Sequence, residues 1–332
     1  METAISIKGV SKRFGRIQAL DTVGFDVPLR SIFGLVGPNG AGKTTLFSVM
    51  ANFLKADGGQ VEVLGIDTRR IGELRGRLTI FPQDAQFQRN VPILDQLAFF
   101  RRLDGRTRQQ AEQEVIETLQ LVGLEAMAKR RVGTLSHGMI KRLGIAQAFL
   151  GHPEVILLDE PTAGLDPANA RQLRDLVKRL QERATIMVSS HNLAEVQELC
   201  DHLAILHQGK LIRADAMDKI TQSGREYDLV LSRPLQEREV KQLRRLAGVR
   251  DIQAVAANGA GTAGELAGYR VTFDFSADHA DPDVIRGALF RSLLDAGISP
   301  RQFGEGRSLE ARFLEMTGGV QAGGIADQEG TS

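Results

Sequence analysis

The sequence has little of several things that specialised proteins need in quantity. It contains one cysteine, Cys200, and no tryptophan among its 332 residues, and its formal net charge is only +1. One cysteine cannot build an internal disulfide framework and is typical of a chain kept in a reducing compartment. A charge balance near zero gives no general attraction to nucleic acid or acidic lipid, so we expect no nucleic-acid partner.

Long hydrophobic runs are also missing. The opening segment "METAISIKGVSKRFG" lacks the apolar stretch of a secretion signal. No segment approaches the ~20 apolar residues that cross a bilayer. We therefore expect a cytoplasmic chain that would need another chain for any work at a membrane.

What is present is an alternation of short apolar strands with helices. The segments "SIFGLVG", "VILLDE" and "ATIMVSS" are strand-like, and helices are predicted from Lys43 through Leu54 and over "NARQLRDLVKRLQER". Buried strands that alternate with helices favour an α/β fold with a mostly parallel sheet covered on both faces. A helical block at about residues 87–152 lies between two such strands, which predicts an inserted helical subdomain.

A change of composition near residues 215–225 predicts a domain boundary. The first domain is predicted over residues 1–218. Residues 225–316 contain the strand-like segments "YDLVLSR", "VRDIQAVA" and "YRVTFDF" and two amphipathic helices, which predicts a small C-terminal α+β domain. Residues 317–332 hold few large apolar groups and are predicted to be a disordered tail.

A glycine-rich segment, "GPNGAGKTT", follows a predicted strand and opens a helix. It matches the phosphate-loop pattern G-x-x-x-x-G-K-[ST] in the required context. Backbone N–H groups and the helix N-terminus would surround a phosphate, Lys43 would neutralise its oxygens, and Thr44 would ligate Mg²⁺. The predicted nucleotide-binding residues are Gly37, Pro38, Asn39, Gly40, Ala41, Gly42, Lys43, Thr44 and Thr45.

Two carboxylates and a histidine follow successive strands. Asp159 and Glu160 end "VILLDE", at the sheet edge where ligands bind in open α/β folds. Asp159 is therefore a candidate magnesium ligand, and Glu160 a candidate group to orient or deprotonate the attacking water. His191 follows the next strand and is a candidate donor to the γ-phosphate, although Asn192 and Glu195 also predict a plain helix cap there.

Other residues allow both a local and a functional interpretation. Gln83, in "FPQD", could offer a neutral oxygen to a metal or simply flank a turn. Phe14 could stack on an adenine ring or fill the strand core. Asp166, which precedes a proline, predicts a helix N-cap, as does Ser136 in "LSHGM".

In their order and spacing these segments resemble the ATP-binding cassette (ABC) ATPase family. The resemblance rests on "RFG", "GPNGAGKT", "FPQ", "LSHGM", "VILLDEP", "AGLD" and "SSH", and it covers about residues 4–215. It implies the ABC form of the P-loop NTPase fold, with ATP and Mg²⁺ as cofactors and ATP hydrolysis as the activity. It also implies two cassettes that face each other head to tail.

The resemblance implies a role for each candidate residue. Phe14 would be the adenine-stacking aromatic, and Gln83 would link the metal site to the helical subdomain. Asp159 would hold the metal, Glu160 would be the catalytic glutamate, and His191 would be the switch histidine.

The segment "LSHGM" departs from the usual "LSGGQ", since His137 and Met139 replace a glycine and a glutamine. We interpret Ser136 and Gly138 as the part that matters, because the serine hydroxyl and the helix N–H groups would face the γ-phosphate held by a second cassette. Asp166 would lie in the loop that crosses to that second copy.

The segment "SLEARFLEMTGG", at residues 308–319, resembles the end of ATPase subunits from an export class with separate permease chains. This resemblance implies an exporter subunit, peripheral on the inner face of the cell membrane, that pairs with a second copy of itself. Residues 87–100 would dock the permease, although Leu94, Leu97 and Phe100 could instead be core. The C-terminal domain would stabilise the dimer or regulate it.

The alternative is an ABC ATPase without a transport role, which acts as a regulatory or resistance protein. A function in DNA repair is disfavoured because no coiled-coil heptads separate Lys43 from Ser136. A function in translation is disfavoured because such proteins carry two cassettes and basic linkers, whereas this chain has one cassette and a net charge of +1.

Overall fold

The structure is a computed structural model, and it describes residues 2–83, 86–222, 225–255, 267–273 and 282–305. The chain divides into two compact units, Met1–Met217 and Asp218–Ser332. The predicted tail at residues 317–332 and the segment "SLEARFLEMTGG" lie outside the described residues.

The central sheet of the first unit is mostly parallel, as the sequence predicts. Its strands are β3 (Ile32–Val36), β6 (Leu78–Phe81), β7 (Val155–Asp159), β8 (Thr185–Ser190), β9 (His202–His207) and β10 (Lys210–Ala216). Their order in the sheet is β10-β9-β3-β8-β7-β6, and only β10 pairs antiparallel among the described strands of this sheet. Every residue of β3, β7 and β8 is buried, as expected for strands covered on both faces.

An antiparallel sheet packs beside the central sheet in the same unit. It contains β1 (Thr3–Phe14), β2 (Ile17–Pro28), β4 (Gly58–Val63) and β5 (Ile66–Asp67), in the order β2-β1-β4-β5. Its buried side chains share one hydrophobic core with Phe33 and Leu35 of β3. The first helix, α1 (Lys43–Met50), adds Leu46 and Phe47 to the same core.

The prediction that this first helix continues to Leu54 is wrong. It ends at Met50, and Asn52 adopts a left-handed conformation with φ of 55°. Asparagine tolerates that conformation better than most residues, so a helix C-terminus at this point has little cost.

Helices fill the segment between β6 and β7. They are α2 (Ile93–Leu103), α3 (Arg108–Val122) and α4 (His137–Phe149). The helix α2 packs on α3, α3 packs on α4, and α4 packs on β6 and β7. Farther along the chain lie α5 (Pro167–Leu180) and α6 (Leu193–Leu199). Across the described residues, we find no helix with the length and apolar character needed to span a bilayer.

The second unit combines an antiparallel sheet with helices. A short helix, α7 (Met217–Gln222), lies at the boundary between the units. The strands are β11 (Arg225–Leu231), β12 (Val249–Val255), β13 (Ala267–Phe273) and β14 (Pro300–Glu305), in the order β12-β13-β11-β14. The helices α8 (Glu237–Arg244) and α9 (Pro282–Asp295) complete the described part, and Leu229, Val271, Leu289 and Leu293 are among the buried core residues.

Candidate functional site

The glycine-rich loop is held in a tight curl between β3 and α1. Gly40 and Gly42 have φ of 80° and 105°, where glycine is favoured. A Cβ at Gly37 would lie 2.3 Å from the Leu206 carbonyl oxygen, and one at Gly42 would lie 2.5 Å from the Ala19 carbonyl oxygen. Only glycine fits at these positions, and the curl brings the loop to the N-terminus of α1, where the first N–H groups lack intrahelical partners.

Lys43, the first residue of α1, turns its ammonium group back over this loop. Its Nζ donates to the carbonyl oxygens of Gly37 at 2.8 Å and Pro38 at 3.3 Å. The same nitrogen lies 3.3 Å from Glu160 Oε1, and the two side chains are only 6% and 8% exposed. The lysine charge is thus buried at the loop and paired with a carboxylate.

The acid pair is fixed by a serine on the neighbouring strand. Asp159 lies opposite Ser189 where β7 and β8 pair in parallel. The Ser189 hydroxyl donates a hydrogen bond to Asp159 Oδ1 and accepts one from the Glu160 N–H at 2.9 Å. Glu160 has a left-handed φ of 47°, an unfavourable conformation for this residue. The turn sets the Glu160 carboxylate beside Lys43.

His191 contacts the other oxygen of the same carboxylate. Its Nδ1 lies 2.6 Å from Glu160 Oε2, and the ring is 54% exposed. The predicted helix cap is confirmed at Asn192, whose Oδ1 accepts from the Glu195 N–H at 3.3 Å. The Glu195 side chain instead accepts from the Thr162 hydroxyl at 2.7 Å, outside the capping box.

An open cleft of about 470 Å³ lies over the glycine-rich loop. Its walls bring together separate parts of the chain, namely residues 39–45 of the loop, Gln83 beyond β6, Glu160 beyond β7, the β2 residues Ile17, Gln18 and Ala19, and Gln208. Asp159 lies behind this surface, with 1% of its side chain exposed. The cleft therefore unites most of the predicted nucleotide-binding residues with Gln83 and Glu160.

Phe14 lies at the tip of the β1–β2 hairpin, next to the cleft. It pairs with Ile17 across the hairpin and is 45% exposed, so it does not fill the strand core. The Lys12 ammonium sits 5.6 Å from the centre of its ring. An aromatic face is thus presented close to the Ile17 end of the cleft.

The segment "LSHGM" forms a second surface, and its residues are not among those that line the cleft. As predicted, Ser136 is the N-cap of α4, and its Oγ accepts from the Met139 N–H at 3.3 Å. A Cβ at Gly138 would lie 3.1 Å from the Asn169 side chain. Asn169 in turn donates to Asp166, the predicted N-cap of α5, and this hydrogen bonding holds the pKa of Asp166 below its usual range.

Two residues of the site are not among the predicted site residues. Ser189 is the first residue of "SSH", but its role becomes visible only after β7 and β8 are aligned, since it depends on lying opposite Asp159. Gln208 lies in the turn between β9 and β10, and neither strand is among the predicted elements.

Comparisons with known proteins agree with this fold. Residues 20–163 match the family model described as ABC transporter. The chain is 35% identical to the bacitracin transport ATP-binding protein BcrA of Bacillus licheniformis, over 68% of this chain and 74% of that protein. It is 31% identical to the linearmycin resistance ATP-binding protein LnrL of Bacillus subtilis (strain 168), over 63% of this chain and 68% of that protein.

A solved structure is similar in fold. It is a crystal structure of the ADP conformation of an ATP-binding cassette of an ABC transporter, with a TM-score of 0.60 and 25% identity over 66% of this chain and 95% of that one. These comparisons establish the family. The chain belongs to the ATP-binding subunits of ABC transporters, which bind and hydrolyse ATP.

Proposed function

We propose that this chain is the ATPase subunit of an exporter, that it drives a separate membrane permease, and that two copies pair around ATP. The observation that carries the proposal is that the predicted site residues lie on two different surfaces of the chain. Lys43, Glu160 and His191 meet at the cleft, whereas Ser136 and Gly138 belong to a different surface. A second copy would bring that surface to the cleft.

In this proposal the triphosphate of ATP lies along residues 37–45 and the adenine stacks on Phe14. The Lys43 ammonium already contacts three oxygen atoms, from Gly37, Pro38 and Glu160, and phosphate oxygens would take the place of these partners. A phosphate would also compete with Glu160 for that ammonium. One carboxylate oxygen would then become available to another partner.

Mg²⁺ fits the donors around this cleft, because it prefers hard oxygen ligands. The Thr44 hydroxyl and the Gln83 amide would hold it directly, and Asp159 would hold it through water. When bound, the ion would neutralise charge on the β- and γ-phosphates. Ser189 would keep the buried Asp159 carboxylate in place.

Glu160 would act as the general base. A water would attack the γ-phosphorus and lose a proton to the Glu160 carboxylate. At the same time the bond would break between the γ-phosphorus and the oxygen that bridges the β- and γ-phosphates, and that oxygen would leave with ADP. The products are ADP and inorganic phosphate. His191, held against Glu160 Oε2, would keep the carboxylate oriented during this step.

The second copy would add charge stabilisation to that of Lys43 and the metal ion. None of the described residues that line the cleft is an arginine. The N-terminus of α4 carries about half a positive charge, and Ser136 and Gly138 would place it at the γ-phosphate of the partner's ATP. A monomer is then expected to bind ATP but hydrolyse it slowly.

The permease would dock on the segment that follows Gln83, at the inner face of the membrane. Leu97 is buried in the core and is therefore excluded from that surface. Phe99 is 55% exposed, and the ring centres of Phe99 and Phe100 lie 6.0 Å apart. The exposed phenylalanines suit an apolar partner helix. In the same proposal, the C-terminal unit stabilises or regulates the dimer.

Co-expression with any membrane chains that neighbouring genes encode tests the proposal. A stable complex in detergent, with ATPase activity that depends on the transported compound, would support it. The resistance named for one relative favours a second candidate, an ABC ATPase that protects without transport. Full activity with no membrane chain bound would favour this candidate.

A further inference from the structure

We propose that Gln208 is a specificity-determining contact that reads the ribose and base end of the bound nucleotide. The residue lies in the turn between β9 and β10 and lines the same cleft as the glycine-rich loop. The inference rests on the proposed placement of ATP in that cleft.

The conformation of Gln208 is not the one that its residue type favours. His207 pairs with Lys210, so Gln208 and Gly209 form a two-residue hairpin turn. Their φ values of 48° and 77° make it a type I′ turn, which favours asparagine or glycine at its first position. Glutamine at this position is strained, and an observed strain of this kind is a reason to look for a function of the side chain.

Hydrogen bonds hold the turn against both the glycine-rich loop and β2. The Gly209 N–H donates to the Ala41 carbonyl at 3.0 Å, and the Gly209 carbonyl accepts from the Asp21 N–H at 2.8 Å. A Cβ at Gly209 would lie 2.8 Å from the Ala19 carbonyl oxygen. Gln208 is therefore carried on a rigid support that touches the glycine-rich loop and β2.

This support places Gln208 at one end of the cleft. Lys43, Gln83 and Glu160 mark the phosphate end, whereas the β2 residues Ile17 to Ala19 mark the end near Phe14. A Cβ at Gly209 would lie within 3.1 Å of the carbonyl oxygens of Gln18 and Ala19, so the turn adjoins the second end, and its hydrogen bond to Ala41 ties it to the glycine-rich loop as well. A primary amide has donors and an acceptor, which suit ribose hydroxyls and the polar edge of a base.

The variant Gln208→Gly tests this inference because it separates a ligand contact of the side chain from a purely structural role of the turn. Glycine relieves the strain, so the fold should be at least as stable as in the wild type. Loss of one hydrogen bond should weaken Mg-ATP binding about three- to tenfold. Binding of Mg-tripolyphosphate, which has no ribose or base, should be unchanged. Isothermal titration of the full chain measures both ligands.

A matched control exists in the β4–β5 turn. Leu64 and Gly65 have φ of 51° and 74° between the paired residues Val63 and Ile66, so the turn is of the same type but does not line the cleft. The Leu64→Gly variant should bind both ligands like the wild type.

Two results would overturn the inference about Gln208. One is wild-type affinity of Gln208→Gly for ATP, and the other is an equal loss of ATP and tripolyphosphate binding. The Lys43→Ala variant examines the placement of ATP separately, since it should lose both ligands. If Lys43→Ala kept its ATP affinity, the placement itself would be wrong, whatever Gln208 does.

Discussion

Replacing Glu160 by glutamine separates ATP binding from hydrolysis. The new side chain has the same length, and its amide can still contact Lys43 and His191, which lie 3.3 Å and 2.6 Å from the carboxylate oxygens. Lys43 also keeps the carbonyls of Gly37 and Pro38. We therefore expect the fold to survive, with a loss of about 1–3 kcal/mol from the weakened charge-assisted contact.

The chemistry should suffer far more than the fold. An amide cannot accept the proton of the attacking water, so phosphate release at saturating Mg-ATP should fall by about 10²–10⁴. ATP affinity should stay equal or rise, because the negative charge that competes with phosphate for Lys43 is gone. Dimers should accumulate with ATP, and light scattering during size-exclusion chromatography would detect them.

Glu154→Gln is the matched control, since Glu154 makes an exposed ion pair with Arg77 at the opposite end of β7. Its turnover should match that of the wild type. If Glu160→Gln hydrolysed ATP within about threefold of the wild-type rate, the assignment of Glu160 as general base would be refuted, since that role typically contributes at least about a hundredfold.

Two further predictions concern the "LSHGM" segment and the second unit. His137→Gly and Met139→Gln should leave ATPase activity within a few-fold of wild type, because backbone groups and Ser136 make the proposed contact with the γ-phosphate. Ser136→Arg should abolish the activity. A phosphate-release assay on the three variants measures the difference. Arg233 holds the pKa of Glu239 at about 2, so this pair stabilises the fold fully above about pH 4.3, and the stabilisation is lost as the pH falls toward 2. Glu239→Gln should reduce the free energy of unfolding at pH 7 by about 1–3 kcal/mol and flatten its dependence on acid pH, as urea titrations would measure.

The elements that the sequence predicts best are those with strong local patterns. The fully buried strands β3, β7 and β8 and the caps at Ser136, Asp166 and Asn192 lie where the sequence places them. Buried runs of apolar residues and serine, aspartate or asparagine caps depend on their own segment of chain, so no partner segment has to be known.

The parts that the sequence does not predict depend on distant segments. The strands β9, β10 and β14 are recognised only when their neighbours in the sheet are known. The end of α1 is set by the left-handed turn at Asn52 rather than by the apolar pattern that continues to Leu54. Gln208 reaches the cleft because of hydrogen bonds that bind its turn to Ala41 and Asp21.

The most direct test of the central claim, that each ATP is shared between two copies, mixes two inactive variants. Lys43→Ala disables the cleft and Ser136→Arg disables the "LSHGM" surface, so each variant alone should be inactive. A mixed dimer would keep one complete site, and an equimolar mixture should recover roughly a quarter of wild-type ATPase activity, since half of the dimers are mixed and each has one of two sites. If the mixture stayed as inactive as its components while mixed dimers formed, the shared site would be contradicted.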